Sequence, residues 1–208
     1  MNKDLNIRFE NILKKIGFAN DIEHPVFYNS EFGLRFEIGH GDVYIKNNKG
    51  NIISANPMYV SECLERAEKL FLAVEPDILR VDVYPNENYY SGTRDFLIRT
   101  LGSPEDFVKD ENVHQLYWNI IDINKCIPIL KEIILSDIGG KYVLNTCVYF
   151  ANSNTNIMYH LYDDRGADIA ADNKKILMPI YQKFNNWILE YDRERIEKNL
   201  YKYHVSLI

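Results

Sequence analysis

Three β-rich runs near the carboxyl end of the chain are separated by two short polar turns. The runs cover Tyr142–Phe150, Ile157–Tyr162 and Ala167–Ala171. The first turn, Asn152–Asn156, consists of Asn, Ser and Thr, which hydrogen-bond their own backbone, and the second is Asp163–Gly166. Turns this short join antiparallel neighbours, because parallel strands need a crossover of about a dozen residues or more. This region therefore predicts an antiparallel strand meander.

Helix and strand patterns occupy the rest of the chain. Apolar residues recur at helical spacing in Asp4–Ile16 and after Pro57, and they alternate with polar residues in Phe32–Ile38. Helical spacing from Leu177 to Tyr191 predicts a long terminal helix. Shorter patterns predict strands at 42–46, 78–84 and 113–121 and helices at 93–101 and 124–135. Together they predict a single α+β domain over residues 1–208, with a mostly antiparallel sheet packed by several helices.

Composition limits the classes of function. The 208 residues include 24 Lys and Arg against 30 Asp and Glu, a formal net charge of -6, and 46% hydrophobic residues, as in ordinary globular proteins. The acidic balance disfavours nucleic-acid binding, which depends on clustered positive charge. Cys63, Cys126 and Cys147 are too widely spaced for a disulfide framework or a Cys-x-x-Cys motif. Because neither a leader nor a membrane-length apolar run is present, we expect a cytoplasmic protein without membrane contact.

The motifs of the common enzyme classes are absent. The chain has no Gly-x-Ser-x-Gly elbow, His-Glu-x-x-His helix, phosphate-binding loop or dinucleotide fingerprint, so we expect no cofactor. His160 has no other His or Cys at metal-ligand spacing, and we expect it to be a hydrogen-bonded sheet residue. The absence of these motifs does not exclude a catalytic site assembled from residues that are distant in the sequence.

The densest polar cluster surrounds the second turn of the meander, and its members are Asp163, Asp164, Arg165, Asp168 and Asp172. Carboxylates gathered at a turn can bind Mg²⁺ and orient water for phosphoester hydrolysis. The alternative use is structural: the Asp side chains accept bonds from turn N–H groups, Arg165 bridges carboxylates, Gly166 adopts a positive φ, and Asp172 caps the last helix. The spacing matches no calcium-binding loop, which favours the structural use and predicts no metal.

The predicted terminal helix carries a second set of candidate residues. Trp187 and Tyr191 are spaced to share one face, which we expect to pack on the sheet. A short connection joins the last strand to this helix, so Asp192 or Arg193 is expected to reach the turn at Asp164. The two motifs would then form one polar network.

The segments Tyr162–Asp168 and Tyr181–Arg193 together resemble an uncharacterised bacterial family, a domain of unknown function. An Asp-Asp-Arg-Gly turn and a C-terminal Trp-Ile-Leu-x-Tyr-Asp-Arg helix mark that family. The resemblance spans Tyr159–Ile196, and Leu34–Gly39 is similar to a strand of such proteins. It implies a small bacterial protein and no established activity or catalytic residues.

Adjacent tyrosines in a polar loop provide a candidate recognition surface. Tyr89 and Tyr90 lie in the loop 86–92, and Tyr supplies a large, stiff contact area with a polar tip. Acidic net charge favours a basic protein partner, because opposite charge steers association.

Three functions remain open from the sequence. The first is a protein-binding module, such as an immunity protein that neutralises a toxin, with candidate contact residues Tyr89, Tyr90, Asp163, Asp164, Arg165 and Asp168. The second is a metal-dependent hydrolase centred on Asp163, Asp164 and Asp168, with Glu37 as a further ligand. The third is a small-ligand sensor with a pocket between the sheet and the terminal helix.

Overall fold

The computed structural model describes residues 4–19, 21–85, 90–139, 144 and 146–201. Its α-helices are α1 Asp4–Ile16, α2 Val26–Asn29, α3 Pro57–Val74, α4 Tyr90–Leu101, α5 Ile127–Leu135, α6 Lys174–Lys183 and α7 Arg193–Tyr201. Its strands are β1 Phe32–Glu37, β2 Tyr44–Lys46, β3 Ile52–Ala55, β4 Ile78–Val83, β5 Asp106–Lys109, β6 His114–Asn119, β7 Thr146–Asn152, β8 Ile157–Leu161 and β9 Gly166–Ala171. Short 3₁₀ turns lie at Ile123–Lys125, Asn185–Trp187 and Glu190–Asp192.

Seven of these strands form one antiparallel sheet in the order β1-β9-β8-β7-β4-β6-β5. The predicted meander is present as β7, β8 and β9, which pair as sequential antiparallel neighbours. Strands β2 and β3 pair only with each other, as a separate hairpin. The predicted α+β class, with a mostly antiparallel sheet and a strand meander before the terminal helix, is confirmed.

Helices cover both faces of the sheet. Because side chains alternate along a strand, Ile78 of β4 faces α1, whereas Leu79 faces the opposite core against α3 and α5. Helix α1 has the predicted bounds, and its apolar stripe, including Phe9 and Ile12, is buried. Both β4 and β9 are buried along their whole length. A polar side chain on either face is therefore held away from water.

Helix α3 begins where the sequence predicts. The Asn56 side chain accepts a hydrogen bond from the Met58 N–H at 3.1 Å, and Pro57 occupies the first turn, where its missing N–H costs nothing. The helix buries Cys63 and Ala67 against the sheet. This packing places Tyr59 beside the β8–β9 turn.

The terminal helix is interrupted, which corrects one prediction. The Tyr191 side chain is 87% exposed, and Trp187 is part-buried and stacks on Phe184 with ring centroids 4.9 Å apart. Trp187 and Tyr191 therefore do not share a helix face on the sheet, because 3₁₀ turns separate α6 from α7.

Competition from the sheet explains the interruption. Strand β1 ends the sheet, and its outer backbone groups need partners. Ile188 forms a β-bridge with Phe36, and the Leu189 N–H donates to the Arg35 carbonyl at 3.0 Å. An extended segment here satisfies the sheet edge, which a continuous helix would leave open.

Two smaller differences concern the middle of the chain. Strand β5 was not expected, and α4 begins at Tyr90 rather than at residue 93. The first half of the run predicted at 142–150 lies mostly outside the described residues.

Among the described residues, no helix is both long and apolar enough to cross a membrane.

Candidate functional site

A row of polar and aromatic side chains crosses the whole α1-facing side of the sheet. Cross-strand pairing places these residues side by side, one from each strand. The polar row consists of Arg35, Asp168, His160, Tyr149, Arg80, Tyr117 and Asp106. Apart from Arg35, whose side chain is 14% exposed, its members are buried. Sheet register alone therefore assembles a continuous polar line inside the protein.

An ion pair lies at the centre of the polar row. The Arg80 guanidinium donates from Nε and Nη2 to both Asp82 carboxylate oxygens at 2.7 Å, and it donates to Asp21 at 2.9 Å. Burial raises the pKa of Asp82, and the Arg80 charge offsets this only in part. Burial lowers the pKa of Arg80, but its bonds to Asp82 outweigh that effect and raise it overall. Each charge is thus maintained by the other.

Two histidines lie beside this ion pair. His160 is buried, its Nδ1 lies 3.0 Å from the Val148 carbonyl, and its ring stacks on Tyr149 at 4.8 Å. Burial lowers the pKa of His160 to about 4, so its ring is neutral at neutral pH. This confirms the expected hydrogen-bonded sheet histidine. His24, at the surface, contacts the Tyr149 hydroxyl through Nε2 at 2.8 Å, and burial also lowers its pKa.

A second charge cluster lies at the β1 end of the polar row. The Arg35 Nε donates to Asp168 at 3.0 Å, and its Nη1 lies 3.9 Å from Asp192 Oδ2. Asp192 Oδ1 accepts from the Tyr28 hydroxyl at 2.7 Å, whereas its buried Oδ2 has no hydrogen-bond partner. Burial raises the pKa of Asp168 to about 6, although the Phe27 N–H and Arg35 both favour its charged form. One guanidinium therefore faces two carboxylates.

The chemistry of the polar row is that of an internal scaffold. Arg80 and Arg35 each face two carboxylates, and helix α1 covers this face of the sheet. A buried ion pair often adds little net stability, but removing one partner is strongly destabilising because the other charge stays buried. An activated nucleophile or general base would instead need a poised group open to a substrate.

The Asp163–Gly166 turn is built on one carboxylate. Asp163 Oδ1 accepts from the backbone N–H groups of Arg165 at 2.8 Å and Gly166 at 3.2 Å, and Oδ2 accepts from Arg165 Nε at 2.8 Å. Asp164 Oδ2 accepts from the Tyr59 hydroxyl at 2.6 Å. The Asp163 and Asp164 side chains are buried, whereas the Arg165 side chain is 75% exposed. Arg165 pairs with Asp163 and does not bridge the two carboxylates.

Asp137 joins this turn as a third acidic residue. One carboxylate oxygen each from Asp137, Asp163 and Asp164 lie within 4.8 Å of one another, a spacing that would allow a metal ion to be held. Asp168 does not belong to this group, because its side chain lies in the polar row. The carboxylates that the sequence placed together are therefore divided between two sites.

Other predicted contacts are corrected by the structure. Gly166 has no positive φ; a side chain there would instead overlap the Tyr162 hydroxyl. Asn173, not Asp172, caps the helix α6, and Asp172 accepts from the Asn156 amide at 2.8 Å.

The predicted link between the terminal segment and the turn is also different. Asp192 reaches Arg35 and Tyr28 rather than the turn at Asp164, and so it joins the polar row. Arg193 donates to Glu190 at 2.6 Å and to Asn185 at 3.1 Å. The terminal segment and the meander thus form one network, but through Asp168 and Arg35.

A group of exposed apolar side chains was not expected from the sequence. The hairpin end consists of Ile45, Ile52 and Ile53 of the β2–β3 hairpin and Met58 in the first turn of α3. Their residue exposures are 43, 60, 64 and 82%. Tyr89 and the Tyr90 side chain, the predicted recognition residues, lie outside the described residues.

Sequence reasoning also missed Arg80, Asp82, Tyr149 and His24. A local signal for the first two exists, since opposite charges two residues apart on one apolar strand share a face. Tyr149 and His24 reach the same place only through tertiary packing, so no local pattern identifies them.

Comparison with known proteins identifies the family. The protein "Uncharacterized protein YnaE" of Bacillus subtilis (strain 168) is 36% identical over 197 residues, covering 80% of this chain and 91% of that protein. No solved structure matches the chain. The model of a family described as "Domain of unknown function (DUF3885)" matches residues 8–192. The chain therefore belongs to the DUF3885 family of uncharacterised domains.

Proposed function

We propose that this chain is a single-domain protein-binding module and that it recognises a basic protein partner through the hairpin end. The observation that carries the proposal is the exposure of Ile45, Ile52, Ile53 and Met58 on the β2–β3 hairpin and the adjoining first turn of α3. An immunity protein that neutralises a toxin is one instance of such a module.

The hairpin end has the physical character of an interaction surface. A two-stranded hairpin is marginally stable alone in water, and exposed branched apolar side chains add an aggregation hazard. The hairpin nevertheless keeps paired backbone groups, and the Asn56 N–H ties it to the Val43 carbonyl at 2.8 Å. Single exposed apolar side chains are normal, whereas several within one short segment favour a contact site. A partner would cover what the fold leaves exposed.

The charge around the hairpin end favours a basic partner. Tyr59 joins the first turn of α3 to the Asp164 side chain, so the acidic group Asp137, Asp163 and Asp164 lies beside the turn that carries Met58. Among the described residues, Arg165 supplies the ion pair of this group, which leaves it net negative. The whole chain carries a formal charge of -6. Opposite charge would accelerate association and make it sensitive to salt.

Capture from the host lysate tests the proposal. The tagged chain is incubated with lysate at low and at moderate salt, and retained proteins are identified by mass spectrometry. We expect one stoichiometric basic protein, retained less well at the higher salt. Two variants give the control: Ile53→Thr with Met58→Gln removes apolar surface without changing charge, and Ile121→Thr alters another isoleucine, 92% exposed.

The expected pattern is specific to the hairpin end. The double variant should lose the partner, whereas Ile121→Thr should retain it, and circular dichroism should show both variants folded. Retention of no stoichiometric protein, or equal retention by both variants, would contradict the proposal.

The second candidate, a metal-dependent hydrolase, is favoured by one observation, the approach of three carboxylate oxygens from Asp137, Asp163 and Asp164. Two of these side chains already accept hydrogen bonds from Arg165 and Tyr59, which is why we rank it below protein binding. Thermal unfolding with and without Mg²⁺ or Mn²⁺ decides. A hydrolase site requires stabilisation by the metal that Asp164→Asn abolishes, and equal melting in all samples excludes it.

A further inference from the structure

A cavity of about 460 Å³ lies between helix α4 and the β5–β6 hairpin, far along the sheet from β1. Its volume is in the range of small-molecule sites, about 300–1,000 Å³. The residues that give it chemical character are Arg94, Ile98, Phe107, Lys109, His114 and Leu116.

Strand register divides the cavity into an apolar end and a cationic end. Phe107 pairs with Leu116, and Lys109 pairs with His114, so two apolar and two basic side chains stand on one face of the hairpin. The Phe107 and His114 rings make an edge contact at 5.4 Å, which joins the two ends.

Helix α4 repeats this division on the opposite wall. Arg94 and Ile98 lie four residues apart on one helix face and both line the cavity. Arg94, Lys109 and His114 all line the cavity. Burial and the charges of Lys109 and Arg94 lower the pKa of His114, so the positive charge at this end comes from Arg94 and Lys109. A positive potential is therefore concentrated at one end of the cavity.

Arg94 differs in its pairing from most arginines of the chain. Six other arginines each form an ion pair with a carboxylate: Arg8, Arg35, Arg66, Arg80, Arg165 and Arg193. Among the described residues, Arg94 and Lys109 have no such partner, and no Asp or Glu lines the cavity. A guanidinium and an ammonium that face one cavity without a carboxylate partner can both donate charge-assisted hydrogen bonds to a bound anion.

We propose that this cavity binds a small amphipathic anion, a carboxylate or phosphate ester that carries an aromatic or branched apolar body. Arg94 and Lys109 hold the anionic group, and Phe107, Ile98 and Leu116 contact the apolar body. The site is separate from the hairpin end and does not depend on the proposed protein binding.

Calorimetric titration with three matched probes tests the site. Naphthoate and naphthyl phosphate carry the two anionic groups, and naphthamide is the neutral analogue of the same shape. We expect saturable submillimolar binding of at least one anion and much weaker binding of the amide. The stronger of the two anions then identifies the group that the site recognises.

Variants locate the binding. Arg94→Gln with Lys109→Gln should weaken binding of the anion by about tenfold or more, because charge-assisted hydrogen bonds are lost. Lys131→Gln, which removes an exposed lysine on α5, should leave binding unchanged. The absence of saturable anion binding, equal binding of the amide, or equal weakening by Lys131→Gln would overturn the proposal.

Discussion

Replacement of Arg80 by Met tests the interior scaffold most severely. Arg80 is 2% exposed and holds the buried Asp82 carboxylate through two hydrogen bonds of 2.7 Å. Methionine keeps an apolar stem between Phe9 and Tyr149, over whose rings the guanidinium lies at 5.5 and 5.6 Å. The main consequence of Arg80→Met is therefore a buried carboxylate without its cation.

The expected loss is about 3–5 kcal/mol of unfolding free energy, the usual cost of breaking a buried ion pair on one side. Asp21 adds little, because its side chain is 56% exposed and stays hydrated without Arg80. Urea unfolding measures the loss. With a slope of about 1–3 kcal/mol per molar urea, the midpoint should fall by roughly 1 M or more.

Removing both charges should restore stability. Arg80→Met combined with Asp82→Leu removes both charges of this ion pair, and paired replacement of this kind is often neutral or stabilising. Acid should also rescue the single variant: the pKa of buried Asp82 is raised, so its penalty grows as pH rises and shrinks when it is protonated. A loss under about 1 kcal/mol, or a double variant as unstable as the single one, would refute this reasoning.

Three further predictions concern the meander. Asp163→Ala should lower the free energy of unfolding by about 1–3 kcal/mol, because two backbone N–H groups lose their acceptor. Arg165→Ala should lower it by less than about 1 kcal/mol, because this side chain is 75% exposed. Equal losses of the two variants in urea unfolding would count against this assignment. Gly166→Ala should lower the melting temperature, because a Cβ would overlap the Tyr162 hydroxyl. The control Gly92→Ala, in open space on α4, should leave the melting temperature unchanged or raise it. An unchanged melting temperature for Gly166→Ala would contradict the predicted overlap. The pKa of Asp168 is raised to about 6, so the folded state binds the carboxyl proton more tightly than the unfolded chain does. Protonated Asp168 therefore stabilises the fold most below the unfolded pKa near 3.8, and this stabilisation falls as pH rises through 6. Unfolding measured across this pH range should show the dependence in the unmodified chain and not in Asp168→Asn.

Local patterns predicted the elements whose stability is local. Helix α1 has its predicted bounds because one apolar stripe and one sheet face agree. The meander followed from its short turns. The prediction of one continuous helix from Leu177 to Tyr191 was wrong at Ile188. Backbone hydrogen bonds to the open edge of β1 favour an extended segment there more than the helical spacing of apolar residues favours a helix.

The polar row depends on register between strands that are distant in sequence. The sequence contains Arg35, Asp168 and Asp192, but nothing local shows that one guanidinium faces both carboxylates. In the same way, the Asp163 turn was visible as turn chemistry, whereas its contact with Asp137 is tertiary. The sequence alone gives no reason to expect the isoleucines of the β2–β3 hairpin on the surface, because isoleucine is usually buried. Their exposure follows from the separation of this hairpin from the seven-stranded sheet.

Hydrogen exchange of the complex with the captured basic protein tests the central claim, binding through the hairpin end, most directly. Amides of residues 46–54 lie on exposed strands and a turn, so they should exchange rapidly in the free chain. We predict that the partner slows them strongly and leaves the amides of β4 and β8 unchanged. Equal exchange of residues 46–54 in the free and bound chain, with slowing at another surface, would contradict the claim.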